Sequence, residues 1–477
     1  MSDYFAPTFL DRLSTLWRGL MPARTEDIAD DLRPDLPVAD VEKVRAQMDA
    51  CLDGFGGDVS ARSRAAQLGQ AYLSLDPTGK ERFLRLLAEA YNTDHDIVRS
   101  AARTLLEAKD DAARMRAEQA LRKVLVAPRV HLLTQFNALP NGVKFLVDMR
   151  DDLLAMGSND IVLQGLAQDL RTLLANWFDV GFLELRRITW DSPASVLEKI
   201  IAYEAVHAIR SWDDLKNRLD SDRRLYGFFH PKMPGEPLIF VQVALVEGLS
   251  GNIQGLLDEG APVGDPAQAD TAIFYSISNA QRGLAGISFG NFLIKRVVET
   301  LSGEFPRLKT FATLSPMPGF RKWLNERLAT GADDLLLPAE QKALAAVARV
   351  RGGELSKGGL KDMLLQPNWH KDDDLAEALK VPLMRLGARY LAAERLPPRN
   401  GGAVTARDPV AHFHLTNGAR IDRLNWLADT SENGLRQSAG LMVNYLYKLN
   451  EIERNHETYS GQGKAMLSSG VKALLKD

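Results

Sequence analysis

Between residues 81 and 180 glycine and proline are sparse and apolar residues return at helical spacing; beyond about 186 short β-branched and aromatic runs broken by Pro and Gly take over. That order of textures predicts an α+β protein with its helices first and its strands later. In "ERFLRLLAEAY" (81–91) Phe83, Leu84, Leu87 and Tyr91 share one helical face. "DIVRSAARTLLEAKDDAARMRAEQALRKVL" (96–125) consists largely of good helix formers. "FLVDMRDDLLAM" (145–156) and "DIVLQGLAQDLRTLLANWF" (160–178) extend the pattern, with Asp160 placed to start a helix. Residues 1–185 are read as an all-helical domain for packing, oligomer assembly or framing a site elsewhere, and 186–477 as a mixed α/β domain.

In the second part "LRRITWD", "RRLYGFFH", "EPLIFVQVALV" and "TAIFYSIS" read as strands, and "SVLEKIIAYEAVHAI" (195–209) as a helix among them. "HFHLTNGARIDRLNW" reads as a hairpin across Asn417-Gly418, which would set His412 and His414 on one face of a strand. Two histidines on one face suggest a metal, but no third ligand stands nearby, so no metal site is expected.

Residues 271–315 form one unit: strand "TAIFYSIS", loop "NAQRGLAGI", helix "FGNFLIKRVVETL", strand "LKTFATL". Leu293, Ile294, Val297, Val298 and Leu301 make one apolar helix face. Gly283, Gly286 and Gly290 lie where the chain enters that helix. Glycine admits close backbone approach, and the first N–H groups of a helix lack internal partners, so the entry suits an anion such as a pyrophosphate, with Arg282 adding charge. The second strand runs out at Ser315 in "TLSPMPGF", where Pro316 and Pro318 stiffen the backbone. Such a layout fits an acyl-CoA site, with the loop at the pyrophosphate and the strand end at the thioester. A serine at that point is equally able to start a turn.

The 477 residues carry a net charge of −3, which argues against a nucleic-acid partner. One cysteine, Cys51, cannot form an internal disulfide, as suits a reducing compartment. The opening "MSDYFAPTFLDRLSTLWRGL" lacks a cationic segment followed by an apolar core, and no apolar run approaches the roughly 20 residues of a membrane span. A cytoplasmic protein without membrane partners is expected.

Several long stretches resemble the malonyl-CoA decarboxylase family: "YSISNAQRGLAGISFGNFLIKRVV", "LSPMPGF", "PVAHFHLTNGARIDRLNWLADTS" and "GLMVNYLYKLNEIE", with "WFDVGFLELRRITWDSP" and "GEPLIFVQVAL" similar too. The resemblance implies a helical N-terminal domain followed by a GNAT-like, acetyltransferase-fold catalytic domain. It implies conversion of malonyl-CoA to acetyl-CoA and carbon dioxide without metal, biotin or pyridoxal phosphate, the CoA moiety belonging to the substrate. By motif the family's catalytic serine and histidine fall on Ser315 and His414, and Tyr447 matches a tyrosine near the site. His412 matches no catalytic position. The CoA-binding segment falls on Ala285, Gly286, Ile287, Ser288, Phe289, Gly290 and Asn291. A homo-oligomer through the helical domain is expected. The alternative is an acyl-CoA-dependent N-acyltransferase on the same fold, which would share the loop but not need the Ser315 and His414 pair.

Overall fold

The computed structural model describes residues 13, 15–17, 28–53, 57–157, 160–287, 292–330, 335–351, 359–397 and 404–476, and every structural statement below concerns these. Contacts divide the chain into two units. The first comprises Met1–Leu183, His230–Pro234 and Gln281–Ser288; the second comprises Glu184–Phe229, Gly235–Ala280 and Phe289–Asp477.

The first unit is built from α1 (Val38–Leu52), α2 (Gly57–Ser74), α3 (Pro77–Ala90), α4 (His95–Leu106), α5 (Asp111–Val124), α6 (Pro128–Asn137), α7 (Gly142–Ala155) and α8 (Ile161–Trp177). Aspartates start four of them. Asp76, Asp94, Asp110 and Asp160 each accept backbone N–H groups that the first helical turn leaves unpaired. Asp160 caps α8 as its position in the sequence suggests. The run 96–125 is two helices, because Asp110 caps a new start after the break at 107–110. An aromatic core holds the bundle: Trp17, Tyr72, Phe83, Phe136 and Phe145 are buried, with Trp17 4.9 Å from the ring of Phe145 and Tyr72 5.1 Å from that of Phe83. In contrast, α4 buries no residue and α5 only Ala117.

The second unit is organised on a sheet. Its strands are β1 (Glu184–Ile188), β2 (Arg223–His230), β3 (Met233–Val246), β4 (Thr271–Asn279), β5 (Thr310–Thr313), β6 (Ser315–Pro316), β7 (Arg420–Asn425) and β8 (Met442–Tyr447). β1 to β4 are successive neighbours, β5 lies parallel beside β4, β8 runs antiparallel along β5 and β6, and β7 pairs with β8. The parallel β4–β5 step needs a crossover, which α9 (Phe292–Glu304) supplies. Its face Leu293, Ile294, Val297, Val298 and Leu301 is buried, as the spacing predicts. The helical-then-mixed order is the fold class expected.

Two sequence expectations fail in this unit. The helix read over 195–209 spans only Ala194–Tyr203. Glu204 ends it: its carboxylate accepts the N–H groups of Val206 and His207 and the hydroxyls of Ser276 and Ser278, an arrangement that competes with helical bonding. The hairpin across Asn417-Gly418 is instead a helix, α10 (Pro409–Thr416), followed by a left-handed Gly418 (φ +78°) and then β7. Asp408 accepts the N–H groups of Val410 and Ala411, and Pro409 occupies the first helical position. On a helix, residues two apart point to different sides. His412 therefore meets Tyr459 OH at 2.9 Å while His414 faces the sheet. Among the described residues no helix is long and apolar enough to cross a membrane.

Candidate active site

Register brings the site together. β5 ends at Thr313 and β6 starts at Ser315, so both side chains lie on one face of the sheet. β8 runs beside them, with Tyr447 opposite Phe311 and Val443 opposite Ser315. Tyr445 and Tyr447, two apart, share a face, and α10 lays His414 over it.

Ser315 Oγ lies 3.0 Å from His414 Nε2, and His414 Nδ1 lies 2.8 Å from Tyr447 OH. Ser315 donates its hydroxyl to Thr313 Oγ1 at 2.8 Å, and Thr313 Oγ1 also accepts the Tyr445 N–H at 3.1 Å. The Tyr445 ring stacks on the imidazole at 4.4 Å and 26°. Asn444 fixes the strand end from behind by donating to the carbonyls of Thr313 and Ser250, while Asn425 and Arg423 donate to its Oδ1. Ser315, His414 and Tyr447 are all buried.

Burial sets the protons. It pushes His414 down to about 3 from an ordinary 6.5, so the imidazole is neutral near pH 7. Burial likewise holds the Tyr447 hydroxyl well above its ordinary value, so it keeps its proton and can donate it to Nδ1. The imidazole N–H then sits on Nε2 and points to Ser315 Oγ, consistent with Ser315 donating onward to Thr313. A tyrosine thus occupies the place a carboxylate takes in a Ser-His-Asp triad. Among the described residues no three His, Cys, Asp or Glu side chains converge as a metal would need.

The His414 imidazole has a consequence for stability. The unfolded chain protonates it below pH 6.5, the folded protein only near 3. Its contribution is present above 6.5 and is lost as pH falls toward 3. Asp408, pushed up to about 6 by burial, has the opposite sign: its contribution is present below 3.8 and lost as pH rises through 6. Asp408 is common to wild type and a His414→Asn variant and cancels between them. Urea unfolding at pH 7 and pH 5 should show wild type losing up to about 2 kcal/mol more than His414→Asn. Equal losses would contradict a buried neutral imidazole.

The expected CoA segment is described only from Ala285 to Ile287; Ser288, Phe289, Gly290 and Asn291 lie outside the described residues. Within the first unit, Arg150 donates to the carbonyls of Gly283 and Ala285, and Arg171 Nε donates to that of Gly286 at 3.1 Å. Gly283 is required there, since a Cβ would stand 1.8 Å from the Val147 carbonyl oxygen, and Gly286 has φ +75°. Arg282 is exposed, 3.5 Å from Asp151. Sequence reasoning missed Thr313, Tyr445, Asn444, Arg150 and Arg171. Thr313 lay in the quoted strand two residues from Ser315, a spacing that could have flagged it. No local signal marks the two arginines.

Comparison with known proteins follows the same stretches. Residues 181–477 match the malonyl-CoA decarboxylase C-terminal domain and residues 91–178 the malonyl-CoA decarboxylase N-terminal domain. Mitochondrial malonyl-CoA decarboxylase of Mus musculus is 38% identical over 477 aligned positions, covering 96% of this chain and 92% of that protein. The crystal structure of malonyl-CoA decarboxylase from Rhodopseudomonas palustris is 42% identical with a TM-score of 0.80, covering 91% of this chain and 99% of that one. The one from Agrobacterium vitis is 38% identical with a TM-score of 0.81, covering 91% and 100%.

Proposed function

Since the chain belongs to the malonyl-CoA decarboxylase family, we propose that it converts malonyl-CoA to acetyl-CoA and carbon dioxide with Ser315 and His414, using no metal or organic cofactor. The observation that carries this reading is the 3.0 Å contact between two side chains 99 positions apart. The C2–carboxylate bond breaks, its electron pair enters the thioester as an enolate, and C2 then takes a proton. Net reaction consumes one proton. A bound malonyl carboxylate favours imidazolium at His414, opposing the effect of burial. The added proton comes from solvent to Nδ1, where the Tyr447 hydroxyl turns to accept it. Nε2–H then passes its proton to Ser315 Oγ as Ser315 passes its own to C2, which leaves a neutral imidazole protonated on Nδ1. Ser315 also hydrogen-bonds the malonyl group and forms no acyl-enzyme. Tyr447 holds Nδ1 so that Nε2 faces the serine.

CoA recognition is assigned to Ala285–Asn291. Two cations on the carbonyls of 283, 285 and 286 support an anionic partner for that segment. The homo-oligomer is assigned to α4 and α5, whose Ile97 (53% exposed), Leu106 (86%) and Met115 (64%) lack cover within the chain. A cytoplasmic setting, without nucleic acid, is part of the same reading.

The test separates decarboxylase from N-acyltransferase. Purified protein given malonyl-CoA and no amine should release carbon dioxide. No release without an amine, with acylated amine appearing once one is added, would replace this reading by the acyltransferase.

A further inference from the structure

Arg321 lies in the first turn of the helix Phe320–Ala329, six residues beyond Ser315. That is a poor place for a cation, because the positive end of the helix dipole opposes it. The side chain is half-buried, burial lowers its proton affinity, and no acidic group offsets the effect. Among the described residues it has no hydrogen-bond or ion-pair partner. A guanidinium taken partly from water without an anion carries an uncompensated desolvation cost.

The cleft it lines belongs to the second unit and has a volume of about 860 Å³. Lys371 and Arg436 line the same cleft, and Glu432 is the acidic residue among them, leaving an excess of two positive charges. His370 adds none near neutral pH, since burial and Lys371 lower its affinity for a proton. Leu364, Leu435 and the buried Trp369 give the cleft an apolar wall. None of these residues takes part in the Ser315–His414–Tyr447 network. The cleft thus sets one apolar wall beside a lining that is otherwise polar and carries three cations, a pairing suited to a ligand with a charged head and an apolar body.

We propose that this cleft binds a small organic anion, with a phosphate monoester or carboxylate head held by Arg321 and an apolar body against Trp369, at a site separate from the decarboxylating pair. Arg321 suits either head because its fork pairs with two oxygens at once. The excess charge attracts the anion, and salt should weaken it.

Calorimetry on the whole protein tests this with phenyl phosphate, benzoate, and phenol as the uncharged control. Phenyl phosphate or benzoate should bind and phenol should not. Binding should persist with CoA present at saturation, weaken at least about tenfold in Arg321→Gln and severalfold in Arg436→Gln. Arg436 is exposed, so its variant carries the test if Arg321→Gln fails to fold by circular dichroism. No binding of either anion, equal binding by folded variants, or displacement by CoA would overturn the proposal; displacement would make the cleft part of the substrate site.

Discussion

Ser315→Ala and His414→Asn should each lower kcat for malonyl-CoA by about 10² to 10⁴-fold, the usual range for losing a positioned proton donor. Affinity for CoA itself should change little, because neither side chain belongs to the segment assigned to CoA. The double variant should fall no further than the worse single one. Two groups joined by a 3.0 Å hydrogen bond that move one proton act as a unit, and removing either disables both. Steady-state kinetics on the four proteins decides the matter. Additive losses would mean that serine and histidine work independently, and would dismantle the relay.

Tyr447→Phe is the second large effect. The variant deletes the hydroxyl 2.8 Å from Nδ1 while the ring stays packed. The imidazole then has no partner to hold its proton on Nε2, and a buried nitrogen loses its hydrogen bond at about 1–3 kcal/mol. That corresponds to a kcat roughly 10 to 100-fold lower with KM unchanged. The alkaline limb of the kcat profile should shift as well, since Nδ1 is now free to carry the proton. Unchanged kcat and an unchanged profile would reduce Tyr447 to packing.

Local pattern makes only the frame of this site legible, while the assignment of Ser315, and of His414 and Tyr447 99 and 132 positions beyond it, rests on the family resemblance. Pro316 and Pro318 stiffen the backbone after Ser315, and the 3.6-residue pattern of Leu293 to Leu301 marks the crossover helix. The misread segment shows where local reasoning goes wrong. His412, Phe413 and His414 alternate as a strand would, whereas Asp408-Pro409 just upstream is a helix start. Capping outweighed alternation, since three residues are too few to establish a period of two. Tyr445, Asn444, Arg150 and Arg171 were out of reach for another reason. Their work depends on β8 lying beside β5 and β6, and on α7 and α8 standing against 283–286, and such long-range pairings leave no trace in spacing.

The most direct measurement is to incubate wild type and Ser315→Ala with malonyl-CoA alone and follow acetyl-CoA by mass spectrometry, with CoA binding measured on both. The account predicts acetyl-CoA from wild type and a yield at least about a hundredfold lower from a folded, CoA-binding variant. Comparable acetyl-CoA from both proteins would contradict the role of Ser315.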